Sequence, residues 1–202
     1  AIPGGPMDRW AEASDAASML DLTKRTFAEF FPWDLERVND ARLADDNAWL
    51  CGAVPPRVRK PVATLPSGRI VMGMGDVIVL NDPCTGQGAN NASAYADVVY
   101  DAIRAQDSGT FDAAWMEQTF ETYWEYAQWP TNFTNSMLAP PANHVLQLLG
   151  AATQIPEIGN RFTNAFTYPE DLQNFFFTPE LAASYVAEAG QRARYAAHGR
   201  TT

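Results

Sequence analysis

Little in this sequence equips its own side chains for nucleophilic, metal or thiol chemistry. The two cysteines, Cys51 and Cys84, form no Cys-x-x-Cys pair, so a disulfide framework is not expected and a reducing cytoplasm is the default compartment. The two histidines, His144 and His198, stand far apart, too few and too isolated for a metal cluster. There is no Gly-x-Ser-x-Gly elbow and no Cys/His pair at suggestive spacing, which leaves nucleophilic hydrolysis without support. No run approaches the ~20 apolar residues of a membrane-spanning helix. The opening AIPGGPMDRW has neither the basic n-region nor the apolar core of a signal peptide. Its start on Ala and a Pro/Gly-rich segment suggests that further chain precedes it. Basic residues are scarce as well. Fourteen Lys and Arg against 24 Asp and Glu give a net charge of −10, which argues against non-specific binding to nucleic acid or to an anionic membrane.

What is present is globular material: 202 residues with 47% hydrophobic and 19% charged side chains, enough for one large domain or two small ones. Ser14 is a candidate cap for a helix over 15–31, with Met19, Leu20, Leu22 and Phe27 on its apolar face and Pro32 as its stop. Short apolar stretches at 49–54, 58–65 and 69–74 predict strands, with Pro66-Ser67-Gly68 turning the last two into a hairpin. After 77–80 the chain loops and then carries a long helical pattern over 87–105. The remainder reads as helix: an aromatic-rich one over 111–129 ended by Pro130, shorter ones at 142–152, 156–166 and 169–176, and a last one entered at Thr178-Pro179-Glu180. The sequons at Asn91 and Asn132 are expected to be chance matches, since the opening residues do not read as a secretory signal.

The informative segment is Gly68-Arg69-Ile70-Val71-Met72-Gly73-Met74-Gly75-Asp76 followed by Asn81-Asp82-Pro83-Cys84-Thr85-Gly86-Gln87-Gly88-Ala89-Asn90-Asn91. An apolar strand running into Gly75-Asp76 puts a carboxylate at the end of a strand, where open α/β sheets place ligand-binding groups. Gly86, Gly88 and Ala89 then open a helix. Small residues there leave backbone N–H groups bare, let a flat ligand approach closely, and sit at the positive end of the helix dipole. A reduced flavin, with negative charge on its pyrimidine edge and a hydroxyl-bearing ribityl tail, suits both features. The plainer reading is a strand–turn–helix connection whose glycines serve packing only.

Gly-Asp followed by Asp-Pro-x-x-Gly-Gln-Gly-x-Asn resembles the second FAD motif of the aromatic-hydroxylase-like flavoprotein monooxygenases. It is closest to the styrene/indole monooxygenase oxygenase component, C-terminal part only. The resemblance extends to the segments 1–7, Trp129-Pro130-Thr131-Asn132-Phe133-Thr134 and Phe166-Thr167-Tyr168-Pro169-Glu170. It implies that Gly75 and Asp76 meet the ribityl or pyrophosphate part of FAD, and that Pro83, Gly86, Gln87, Gly88, Ala89 and Asn90 line the isoalloxazine ring, with Pro83 on the substrate side. It assigns no catalytic residue and no metal ligand. Cys84-Thr85 stands where the styrene enzymes are expected to have aliphatic residues, which leaves the substrate preference open. Neither a GxGxxG fingerprint nor its acidic ribose partner occurs here. In the family that unit lies in an N-terminal FAD-binding half, so the chain reads as a piece expected to bind FAD weakly alone.

The fold expected from this resemblance is α+β: a few strands completing the FAD and substrate sheets, then a helical C-terminal region. Residues 1–48 would end the substrate-binding domain, 49–106 would form the second half of the FAD-binding domain, and 107–202 the helical region. The implied activity is two-component monooxygenation. Reduced FAD, delivered by a separate NADH-dependent flavin reductase, reacts with O₂, and one oxygen atom passes to an apolar alkene, indole or sulfide. Such chemistry asks the protein mainly for a dry, shaped pocket. A flavin-dependent halogenase or reductase of the same fold remains an alternative. So does a non-catalytic interaction domain, or a fragment, with a degenerate flavin loop. The aromatic pattern at 111–129 fits core packing better than a substrate pocket, and Cys84 fits a small packed residue better than a reactive thiol.

Overall fold

The computed structural model describes residues 4–52, 55–107 and 109–198. They fall into two compact units, Ala1–Val54 and Pro55–Thr202. The architecture is mostly helical with few strands, an α+β arrangement as expected.

The first unit is built on helix α1 (Ala16–Phe30), followed by a short helix α2 (Leu35–Asn39). The cap of α1 is Asp15 rather than the expected Ser14. Its carboxylate accepts from the Ser18 N–H while the Ser18 hydroxyl accepts from the Asp15 N–H, a reciprocal capping box that satisfies two otherwise orphaned donors. Arg9 and Arg25 both donate to Glu12, and these bonds, Arg9's first, hold its carboxyl down to about 2. Met7, Trp10, Met19, Leu22 and Phe27 line an apolar groove of about 280 Å³ within this unit. The strand expected at 49–54 does not form at 49–52, and its last two residues lie outside the described ones. Apolar content alone made that reading, and no partner strand pairs with it.

In the second unit, strands β1 (Arg57–Val58), β2 (Val62–Thr64), β3 (Ile70–Met72) and β4 (Val79–Leu80) form two antiparallel two-stranded sheets, β1 with β4 and β2 with β3. The β2–β3 hairpin turns at Pro66-Ser67-Gly68 as expected, with Gly68 at φ +79°. Five helices follow: α3 (Gly88–Ala105), α4 (Ala113–Ser136), α5 (Asn143–Ala152), α6 (Pro156–Asn164) and α7 (Pro179–His198). The helix expected at 169–176 is a 3-10 segment, Pro169–Asn174.

Helix α4 does not stop at Pro130. It continues through the proline for six more residues to Ser136, although an interior proline costs a helix about 3 kcal/mol. Burial outweighs that cost. Pro130, Thr131, Phe133 and Thr134 are all buried, and α4 serves two cores by continuing. Upstream of Pro130, Tyr123 and Ala127 pack with Ile78, Val79, Tyr95 and Val99. Downstream, Phe133 joins Leu148, Ile158, Leu172, Phe175 and Phe176. Burying one aromatic side chain such as Phe133 contributes about 2–3 kcal/mol, which by itself about matches the cost of the proline, and the burial of Pro130, Thr131 and Thr134 beside it adds to that gain. In the second core, Arg161 donates to both carboxylate oxygens of Asp171 at 2.7 and 2.6 Å, and its guanidinium lies 4.5 Å over the ring of Phe175 and 4.6 Å over that of Tyr185.

Candidate functional site

Asp76 was expected at the end of a strand. The structure places it four residues beyond β3, in the middle of a single 3-10 turn, Gly75–Val77. Gly75 at φ +58° makes that turn possible, since a side chain would be strained there. The Asp76 carboxylate is exposed. Arg59 donates from its guanidinium to the carbonyls of Asp76 and Val77 at 3.3 and 2.9 Å, pinning the turn by its backbone and leaving the carboxylate outside that contact. A Cβ built on Gly75 would lie 4.0 Å from the Cβ of Ala92, so the Gly75-Asp76 turn packs against the first turns of α3. The two halves of the motif, separate in sequence, are therefore brought together.

The entrance to α3 is shaped by a 3-10 turn over Pro83–Thr85, whose N–H at Cys84 is capped by the Asp82 carboxylate at 2.9 Å. Gly86 closes the turn at φ +68°, and its N–H donates to the Pro83 carbonyl. Helix α3 then starts with no side-chain cap, so the N–H groups of its first turn have no intrahelical acceptor. Pro83, Gly86, Ala89 and Asn90 are exposed and Gly88 is half-buried.

Gln87 differs from its neighbours. It is only 2% exposed, its amide donates toward the Phe166 carbonyl at 3.4 Å, and its oxygen accepts from Asn90 at 3.2 Å. Its side chain is thus an inward anchor, and only its backbone borders the entrance. Burial, then Asp82, pushes the Cys84 thiol up from its ordinary value, against thiolate reactivity.

The glycines discriminate between packing and ligand binding. A Cβ on Gly86 or on Gly88 would meet nothing within 4 Å. Gly86 is still required by its left-handed backbone. Gly88 has no positive φ, so its backbone conformation does not call for glycine. Neither packing nor backbone conformation accounts for Gly88. An open, side-chain-free helix start fits the close approach of a flat, electron-rich ring, and the residues present fit a flavin in that respect.

Sequence reasoning missed Thr131 and Thr134. Both are buried polar residues one turn apart on α4, at 4% and 0% exposure, and both reach the loop from behind. Their signal was faint: α4 carries two threonine pairs three apart, Thr119/Thr122 and Thr131/Thr134, and spacing alone does not single out the second.

A helix-rich unit in which a turn bearing an exposed carboxylate packs against the first turns of a glycine-opened helix is the class of architecture defined here. Known proteins carry the match further. The family model "Styrene monooxygenase A putative substrate binding domain" matches residues 1–37. The styrene monooxygenase StyA of a Pseudomonas species is 30% identical over 181 residues, covering 86% of this chain and 43% of the relative. That of Pseudomonas fluorescens is 32% identical over 174 residues, covering 82% and 41%. The chain is styrene monooxygenase-like. It spans about two fifths of the length of the curated relatives it matches.

Proposed function

We propose that this chain supplies the flavin-ring loop and the C-terminal helical part of a two-component, FAD-dependent monooxygenase acting on an apolar alkene, indole or sulfide. The observation that carries this reading is Gly88, a helix-opening glycine with open space where its side chain would be and no backbone need for it. The similarity to StyA enzymes supports the same reading from an independent direction.

In this proposal the first-turn N–H groups of Gly88, Ala89 and Asn90 face the electron-rich edge of the isoalloxazine, where the helix dipole favours negative charge. The Asp76 carboxylate accepts hydrogen bonds from hydroxyls of the ribityl tail. Gly75 and Gly86 shape the two turns that bring these groups together, and Pro83 borders the substrate side. Reduced FAD, when bound, supplies the electrons that activate O₂ for transfer of one oxygen atom. The chain's own part is to orient the ring and exclude water, with the stacked Tyr95–Tyr123 core making the floor under α3 rigid and dry. The residues 49–106 would then complete an FAD-binding domain, and a flavin reductase would deliver the cofactor.

Anaerobic titration of the chain with reduced FAD, followed by flavin fluorescence and absorbance, tests this. Binding weaker than micromolar is expected, and Asp76→Ala should weaken it further by about tenfold, the worth of a charge-assisted hydrogen bond. Equal affinity of Asp76→Ala and the unsubstituted chain would leave packing as the only role of the loop.

A further inference from the structure

The loop that opens α3 is held at both of its flanks by one turn of α4. Upstream of Gly86, the Thr85 hydroxyl lies 2.5 Å from the Thr134 hydroxyl, and the Cys84 thiol points to the Thr134 carbonyl at 3.9 Å. Downstream, the Asn91 amide donates to the Thr131 hydroxyl at 3.4 Å. Between these flanks, Gln87 is anchored to the Phe166 carbonyl. Thr131 and Thr134 stand three apart, so they share one face of the helix, and it is the turn just past Pro130 that presents them. The proton inventory gives the contact a direction. Thr134 has one hydroxyl proton, and it goes to the Pro130 carbonyl at 2.8 Å. The bond between the two threonines is therefore donated by Thr85, which turns the Thr85 hydroxyl inward and away from the open face of Gly86.

We infer that Thr134 and Thr131 are positioning residues that hold the Gly86–Asn90 arc in its flavin-receiving shape, Thr134 acting through Thr85 and Thr131 through Asn91. This rests on the flavin reading above and deepens it by naming what fixes the arc. It also gives the run of α4 through Pro130 a role besides core formation, since a helix ending at 129 would present neither threonine.

The test compares Thr134→Val, Thr134→Ser, Thr85→Val and Thr131→Val with the unsubstituted 202-residue chain. Two readouts are used: amide hydrogen exchange without flavin and anaerobic titration with reduced FAD. Thr85→Val removes the same bond as Thr134→Val from the loop side and serves if the buried Thr134→Val fails to fold. Thr134→Val and Thr85→Val should each speed exchange about tenfold at the amide of Gly86, and Thr131→Val at that of Asn91; all three should leave exchange at Tyr123 unchanged and weaken reduced-FAD binding about tenfold, while Thr134→Ser keeps both at the unsubstituted level. Unchanged exchange at Gly86 in Thr85→Val or at Asn91 in Thr131→Val, or no rescue by serine, overturns the clamp. Faster exchange with unaltered flavin affinity overturns its positioning role. If the unsubstituted chain takes up no flavin at all, the flavin reading itself falls and the positioning role with it, a result distinct from any failure of the variants.

Discussion

The ring of Tyr95 on α3 lies flat on the ring of Tyr123 on α4, with centroids 4.2 Å apart and planes 11° from parallel. Both rings are essentially inaccessible, and the Tyr95 hydroxyl meets no hydrogen-bonding protein atom. This contact joins the helix that opens at the flavin loop to the helix that carries the threonines behind it.

The first prediction separates the ring from its hydroxyl. Tyr95→Ala should destabilise the second unit by about 3–5 kcal/mol, as for other large-to-small core substitutions. Tyr95→Phe keeps the stack and removes an unpaired buried polar group, so it should be neutral or stabilising. Urea denaturation midpoints measure both. A loss of more than about 2 kcal/mol in Tyr95→Phe would mean that the hydroxyl is bonded after all.

The second concerns alkaline pH. Burial pushes the Tyr95 phenol up to about 12, and Tyr123 is raised as well, by burial first and then by the neighbouring Tyr95. The folded state therefore favours the neutral phenols. Their contribution to stability is complete below the ordinary value near 10 and is lost as the pH rises from there through the folded values. Phenolate absorbance followed together with helical circular dichroism should show these two tyrosines ionising only as the helix signal falls. Their ionisation at pH 10 in an intact fold would contradict the burial seen here.

The third concerns acid. Asp171 is held below the usual carboxylate value, first by the two bonds from Arg161 and further by one from Asn174, against an opposing burial effect. A lowered folded value means that this pair stabilises the protein above about pH 4 and loses its effect as the pH falls below that. Asp171→Asn should cost about 2 kcal/mol at neutral pH, and the gap to the unsubstituted protein should shrink in acid. A gap that stays constant between pH 7 and pH 3 would place the role of Asp171 in something other than its charge.

Local signals were legible where the chain decides its conformation locally. The hairpin at Gly68, the helix from 87 to 105 and the proline entry at Pro179 follow from turn chemistry and periodicity. They failed where distant residues decide. Pro130 reads as a stop, but burial on both sides carries α4 past it. The stretch before Val54 reads as a strand, yet strands need partners and its described residues have none. At the site, the motif named the loop, but Gln87 is oriented by Phe166, 79 positions away, and Thr85 by Thr134, 49 positions away. No spacing rule in a single sequence reports contacts of that range.

Both sheets among the described residues are two strands wide, so each of their four strands is an edge. Backbone groups along an edge are ready to pair with another chain, and narrow ribbons of this kind are marginal without further support. Basic residues flank both ribbons, Arg57, Arg59 and Lys60 at β1 and Lys60 and Arg69 beside β2 and β3. The open edges are thus places where further strands can add, which fits a chain spanning about two fifths of the length of its relatives.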